Sequence, residues 1–337
     1  MIKISKKTLQ DLEFESVIQQ VATHNVTSLG KKEVLATLPF SKREDVIEAL
    51  RLTNEFVSSF DNENRIPNHG FDAITEELKL IRIENNYLEI DGFRKIASIC
   101  VTTNILLKFF KKFHEYYPLL HKVSLQLEAN KDIPEAIHSV VDKFGEIRND
   151  ASDTLYGLRK SIQSVRTKIN TSFNSALSMY NSAEYLDDIR ETVMENRRVL
   201  AVKAMHRRKV KGSILGSSKT GSIVYIEPDT TQQHQRDLNN LEFEETEEIK
   251  RILLELTSFI SGYSPLLESY QKFLTKIDVI YAKAKYAKVI DAVLPEVTKH
   301  QEIDLVDAYH PLLLVANKSE GITTFPQTIT MTTDSRI

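Results

Sequence analysis

Two apolar seams of helical period, set on either side of a segment with quite different character, most constrain what this chain can fold into. Leu155, Leu158, Ile162, Val165, Ile169, Phe173 and Leu177 follow one another in steps of three and four, which places them on one stripe of a helix. Run over residues 152–180 at about 1.5 Å per residue, that helix is a rod about 43 Å long. A second seam passes through Leu238, Leu241, Ile249, Ile252, Leu256, Phe259 and Tyr263. Two such stripes are best buried against each other as an antiparallel pair. Whatever lies between them then sits at the far tip of a helical arm.

That tip is the only β-rich part of the chain. "ETV", "RRVLAVKAM", "VKGSIL" and "SIVYI" are rich in β-branched residues and predict strands. They are separated by Glu195-Asn196, by an Arg-rich stretch and by Ser-Ser-Lys-Thr-Gly. Asn196 tolerates the left-handed conformation that a tight turn needs. Gly216 and Gly221 have the spacing of the first half of a phosphate-binding loop, but Ser222 and Ile223 stand where Lys and Ser/Thr are required. A phosphate loop also opens a helix, whereas here a strand follows. The expectation is a hairpin turn, not a nucleotide site.

The flanks read as helices. "TLQDLEFESVIQQVATHN" has one helical stripe, and Ser41 with Glu44 suggests a capping box for the helix beginning there. "DGFRKIASICVTTNILLKFFKKFHEYY" predicts a long helix stopped by Pro118, and "KFGEIRND" a turn or small hairpin. Only 10 Gly and 9 Pro in 337 residues, with 27% charged and 41% hydrophobic, favour helix over turn-rich β architecture and allow two or three packed units. The single cysteine, Cys100, excludes an intrachain disulfide and suits a reducing compartment. The N-terminus lacks the apolar core of a signal peptide, and no apolar run is long enough to predict a membrane span.

A net charge of −3 hides a local asymmetry. Between Glu195 and Glu227 there is no acid, while Arg197, Arg198, Lys203, Arg207, Arg208, Lys209, Lys211 and Lys219 all fall there. A basic β tip suits the backbone of a polyanion, and a solubilising hairpin would carry the same residues. Neither a recognition helix nor an aromatic stacking platform is visible, so base readout is not expected. The acidic run Glu242–Glu248 reads as the solvated face of the returning helix, with a metal or acid–base cluster as the sharper alternative. The nine histidines are scattered without zinc spacing, and no nucleophile elbow occurs. No catalytic set is expected. "EIDLVDAYHPLLL" and "TFPQTITMTTDSRI" predict strands opening a new α/β unit that breaks off at Ile337.

In order along the chain, Leu12-Glu13-Phe14, Gly145 to Ser152, Tyr185-Leu186, Arg197 through Val202-Lys203-Ala204 to Gly221, Ile226-Glu227-Pro228, Leu238-Asn239-Asn240 and His310-Pro311-Leu312-Leu313 resemble the MutS family of ATPases, in its MutS-two branch. The resemblance implies a mainly α fold: a helical core (1–150), an outgoing lever helix (151–184), a β-rich clamp (185–232), a returning lever helix and core (233–295), and the start of a truncated ATPase domain (296–337). It implies a parent that binds ATP and Mg²⁺ beyond Ile337, with neither expected in this piece. Residues just before the phosphate loop line the adenine in that family, which points to Phe325; a packed strand phenylalanine is the plainer alternative. Expected partners are branched or duplex DNA, a second copy of the parent, and ribosomes in some members. Recombination restraint or repair in the bacterial cytoplasm, at the nucleoid, is the implied setting, with an endonuclease domain in many members. Departures fall at the tip. Met194-Glu195-Asn196 replaces the usual Arg-Asn-Gly, and Leu215 to Gly221 replaces a His-Asp-Gln-Ser-Ala-Ser-Gly run, so individual DNA contacts do not transfer. A ribosome- or RNA-engaging arm and an idle structural arm remain as alternatives.

Overall fold

The computed structural model describes residues 4–300 and 302–332. It is mainly α with small β elements. The helices are α1 (Lys6–Asp11), α2 (Phe14–Ala22), α3 (Ser28–Leu35), α4 (Arg43–Phe60), α5 (Thr75–Leu80), α6 (Ile90–Lys112), α7 (Pro118–Ser124), α8 (Asp132–Val140), α9 (Asp153–Ser182), α10 (Asp229–Ser261), α11 (Ser264–Val289) and α12 (Pro311–Glu320). The strands are β1 (Leu186–Met194), β2 (Arg197–Lys203), β3 (Gly212–Ser217), β4 (Ile223–Pro228), β5 (Ile303–Ala308) and β6 (Gln327–Met331). They divide into two compact units. One gathers the residues up to His138 and from Thr257 onward; the other is Ser139–Leu256. Among the described residues no helix is long and apolar enough to cross a membrane.

The first unit is organised around α11, which packs against α2, α3, α4, α5 and α6. Its buried residues, among them Leu267, Tyr270, Phe273, Leu274, Ile277, Ile280, Ala284 and Tyr286, go round the whole helix, as expected for a helix at the centre of a core. One charge is buried with them. The Asp278 carboxylate accepts from the Val26 and Thr27 amides (3.0 Å each), the Thr27 hydroxyl (2.6 Å) and His69 Nε2 (3.1 Å). Thr27 also caps α3 by accepting from the Gly30 amide at 3.0 Å. A Cβ on Gly30 would run into Asp278 Oδ2, so only glycine admits this approach. Burial opposes the charge on Asp278, but the bonds from His69, Thr27 and Val26 outweigh it and hold the carboxyl below its ordinary range.

Several expectations need correction here. The first stripe is two helices, because Glu13 at φ 49° breaks α1 from α2. Ser41 does not cap α4: the helix enters one residue later through an extended Lys42, where Arg43 donates to the Val297 and Thr298 carbonyls. The helix over "DGFRKIASIC…" ends at Lys112, and Pro118 opens α7 instead of stopping α6. His310-Pro311-Leu312-Leu313 is not strand, since Pro311 starts α12. β5 and β6 do form, as an antiparallel pair. Phe325 lies ahead of β6 and is 76% exposed, so it is not a packed strand residue. Pro326 next to it offers no ladder amide. The expectation for the last five residues lies outside the described residues.

The second unit follows the first seam throughout and the second as far as Leu256; Phe259 is exposed and Tyr263 lies past the end of α10. Ser152 caps α9 by accepting from the Leu155 amide at 3.0 Å, and all seven residues of the first seam are buried or half-buried. Across to α10, Ser152 donates to Glu248 (2.6 Å), Arg159 pairs with Glu245 (2.7 Å) and Arg166 with Glu242 (2.8 Å). Ascending partners on α9 meet descending ones on α10, so the two helices run antiparallel. The acidic run is therefore not a uniformly solvated face. Glu244 and Glu247 are exposed, whereas Glu242, Glu245 and Glu248 face the other helix. "KFGEIRND" makes the expected tight turn, with a Val141–Ile147 bridge around Asp142, whose carboxylate accepts from the Phe144 and Glu146 amides.

Candidate nucleic-acid interface at the sheet

β1 to β4 form one antiparallel sheet in the order β1-β2-β4-β3. Its inner face, Leu200, Val202, Val224 and Ile226, packs on Phe173, Ala176 and Tyr180 of α9. The last turns of the rod are thus the floor of the sheet. β1 and β2 join through two residues, Glu195 and Asn196, both at positive φ (48° and 61°), as the favoured two-residue hairpin turn requires. β1 starts at Leu186, well before "ETV". A bulge with Arg190 at φ 55° interrupts its alternation, and that hid the strand's beginning from the sequence pattern.

The Gly216–Gly221 stretch is a bulged strand end and a hairpin turn. Gly221 sits at φ 70° in open space. The turn satisfies itself: the Gly221 amide donates to Ser218 O, the Ser218 amide to Ile223 O and the Ile223 amide to Ser218 Oγ. Thr220 and Ser222 hydroxyls bond each other at 2.8 Å. Amides used in this way cannot cradle a phosphate. Among the described residues no His, Cys, Asp and Glu cluster suits a metal ion. This turn does not fit the phosphates of ATP.

The eight basic residues divide between the ends of the sheet. Arg197 and Arg198 lie beside the β1–β2 turn and are engaged. Arg197 pairs with the buried Glu227 at 3.0 Å; Arg198 pairs with Glu191 at 2.6 Å and lies over the Phe173 ring, 4.2 Å from its centroid. At the opposite end Lys203 pairs with Ile223 in register and the Ala204 amide donates to Ser222 O. Lys203 and the turn carrying Lys219 therefore share that end. The crossover from β2 to β3 leaves from it, bearing Arg207, Arg208 and Lys209 before Val210 turns inward. Lys211 is at the crossover's other end, where its amide donates to Tyr180 Oη. Among the described residues, Lys203, Arg207, Arg208, Lys209, Lys211 and Lys219 have no ion-pair partner.

Sequence reasoning missed one feature. Tyr185 and His206 are brought ring to ring, centroids 4.9 Å apart and planes at 30°, with Tyr180 behind Tyr185 at 6.4 Å. Lys209 Nζ lies 5.1 Å from the Tyr185 centroid. This ring contact was not visible in the sequence, because the residues are too far apart there to show as a pattern. The one signal was their shared placement at strand ends that the register joins, the Lys203 amide donating to Tyr185 O.

No family model matches the chain. Along nearly its whole length it is similar to proteins named Endonuclease MutS2. It is 28% identical over 312 residues to that of Clostridium perfringens strain SM101, covering 92% of this chain and 39% of that protein. It is 28% identical over 310 residues to that of Geobacillus sp. strain WCH70, covering 91% and 39%. It is 26% identical over 314 residues to that of Aquifex aeolicus, covering 93% and 40%. The chain spans about two fifths of the length of these relatives. The resemblance to the MutS-two branch, read from the residues, is borne out.

Proposed function

We propose that this chain holds the phosphate backbone of DNA at the Lys203 end of its sheet, without reading base sequence. What carries the proposal is the gathering there of Lys203, Arg207, Arg208, Lys209 and Lys219, in a stretch without a single acid from Asn196 to Ile226. Cations left unpaired on a rigid sheet keep their charge available for a partner, and Arg grips phosphate with two donors. The relatives' name, an endonuclease of the MutS2 type, supports DNA as that partner. For the whole protein the reading extends to an ATPase acting as a homodimer on branched DNA, in repair or restraint of recombination at the bacterial nucleoid. Phe325 is then the residue offered to adenine.

The test reverses Arg207, Arg208 and Lys209 together to Glu and measures binding of the full chain to DNA over a range of salt. Each phosphate contact adds about 0.9 to the slope of log affinity against log salt. Loss of three contacts should flatten that slope by about 3 and remove most binding. Wild-type affinity and slope in the variant would leave an idle arm. Retention on ribosomes or RNA in preference to DNA would keep the cationic site and change its target.

A further inference from the structure

We infer that the Tyr185–His206 stack is a shelf for an unpaired base, so that the site favours DNA with single-stranded character over continuous duplex. The inference rests on the DNA-backbone reading above and adds a second contact to it.

The stack leads outward from the core. Tyr180 is buried in the sheet's floor, and Tyr185 and His206 are both half-buried. Its inner rungs are fixed. Tyr185 is tied into the sheet through the bond from the Lys203 amide to its carbonyl, and Tyr180 Oη accepts from the Lys211 amide. The outer rung is free: among the described residues no side chain hydrogen-bonds or ion-pairs with the His206 imidazole, and Tyr185 is its one ring neighbour. Beside it Met205 is 81% exposed, an unbranched apolar chain of the kind that wedges against a base step. Arg207, Arg208 and Lys209 follow directly in sequence.

An aromatic shelf beside a run of cations is the arrangement by which proteins hold single strands: charge tracks the backbone and a ring takes the face of a base. Stacking is indifferent to base identity, since every base has a π face. Duplex cannot use the shelf without unstacking a base, which costs a few kcal/mol. Rigidity matters too. A ring already held against its neighbour loses little freedom on binding.

The experiment compares a blunt duplex with the same duplex carrying a short unpaired gap, a fluorescent adenine analogue placed in the gap. Wild type should bind the gapped form more tightly and quench the analogue. His206→Ala should weaken the gapped form about tenfold, within the range for one stacked base, abolish the quenching and leave duplex binding unchanged. Met205→Ala should act in the same direction with a smaller effect. His206→Tyr, which keeps a ring, should restore both preference and quenching. If wild type binds both forms equally, or His206→Ala weakens both alike, the shelf is overturned while the backbone site stands. If wild type binds neither form, both readings fall.

Discussion

The two units handle buried charge and surface charge in opposite ways. In the first, Asp278 is removed from water entirely and every oxygen lone pair direction is met by a donor from Val26, Thr27 or His69. At the Lys203 end of the sheet, four exposed cations and the half-buried Lys203 make no ion pair among the described residues. A satisfied buried charge fixes geometry and has nothing left for a ligand. An unpaired surface charge adds little to folding and keeps its field for a partner. Arg197 and Arg198 fall between these cases. They belong to the basic run in sequence, yet one is paired to Glu227 and the other to Glu191 and Phe173. They build the sheet more than they advertise it.

That contrast breaks most visibly at Asp278. Asp278→Ala leaves the Val26 and Thr27 amides and His69 without an acceptor in a dry site, which should cost about 3–5 kcal/mol. Urea unfolding followed by circular dichroism measures it. A loss below about 1 kcal/mol would mean that this carboxylate behaves like a surface charge, and the contrast would fail. Next in size is Glu227→Ala. Glu227 is 5% exposed on its side chain while Arg197 retains a third of its exposure, so the orphaned cation can partly rehydrate and the expected loss is about 2 kcal/mol. Binding of DNA should fall much less than in the triple reversal.

A smaller effect, confined to acid, belongs to Glu248 on the helix pair. The Arg251 guanidinium and then the Ser152 hydroxyl hold its carboxyl down to about 2 from an ordinary 4.5, against the opposing effect of burial. A depressed carboxyl stabilises the folded state above its unfolded value, and that contribution disappears as pH falls through the folded one. The stability gap between wild type and Glu248→Gln should therefore be full above about pH 4.5 and close as pH approaches about 2. A gap independent of pH would remove the ion pair as its cause.

How far these features were legible depends on the range of the interaction. The rod α9 was readable because Leu155 to Leu177 repeat at the spacing of one helix face, and the four strands of the tip because their β-branched runs are punctuated by turns. The Asp278 site was not, since Thr27, His69 and Asp278 lie on separate elements and only their packing unites them. The acidic run on α10 was misread for the same reason: its alternate glutamates meet Arg159 and Arg166 on α9, which one helix viewed alone cannot show. At the candidate site the cations were visible as composition, but which of them are spent was not. Arg197 and Lys203 look alike in sequence; register alone places one beside Glu227 and the other at the open end.

The smallest expected effect is the most discriminating one. Reversing Arg207, Arg208 and Lys209 to Glu should change folding stability by no more than about 0.5 kcal/mol. All three are exposed, and the crossover that bears them is anchored by other groups: Val210 in the core, and the Lys211 amide on Tyr180 Oη. Lys209 has one contact to lose, its approach to the Tyr185 ring, worth about 0.5–1 kcal/mol at an exposed site. Against this, the wild-type cluster places like charges side by side, and reversal brings Glu near Lys203 and Lys219, so the two effects oppose. Denaturant unfolding at low and high salt separates them, since screening suppresses the charge terms and leaves the ring contact. A loss above about 2 kcal/mol would show that these residues hold the sheet together as Arg197 does. The cations at the two ends of the sheet would then be doing the same job, and a loss of DNA binding in the variant would report unfolding instead of a missing contact.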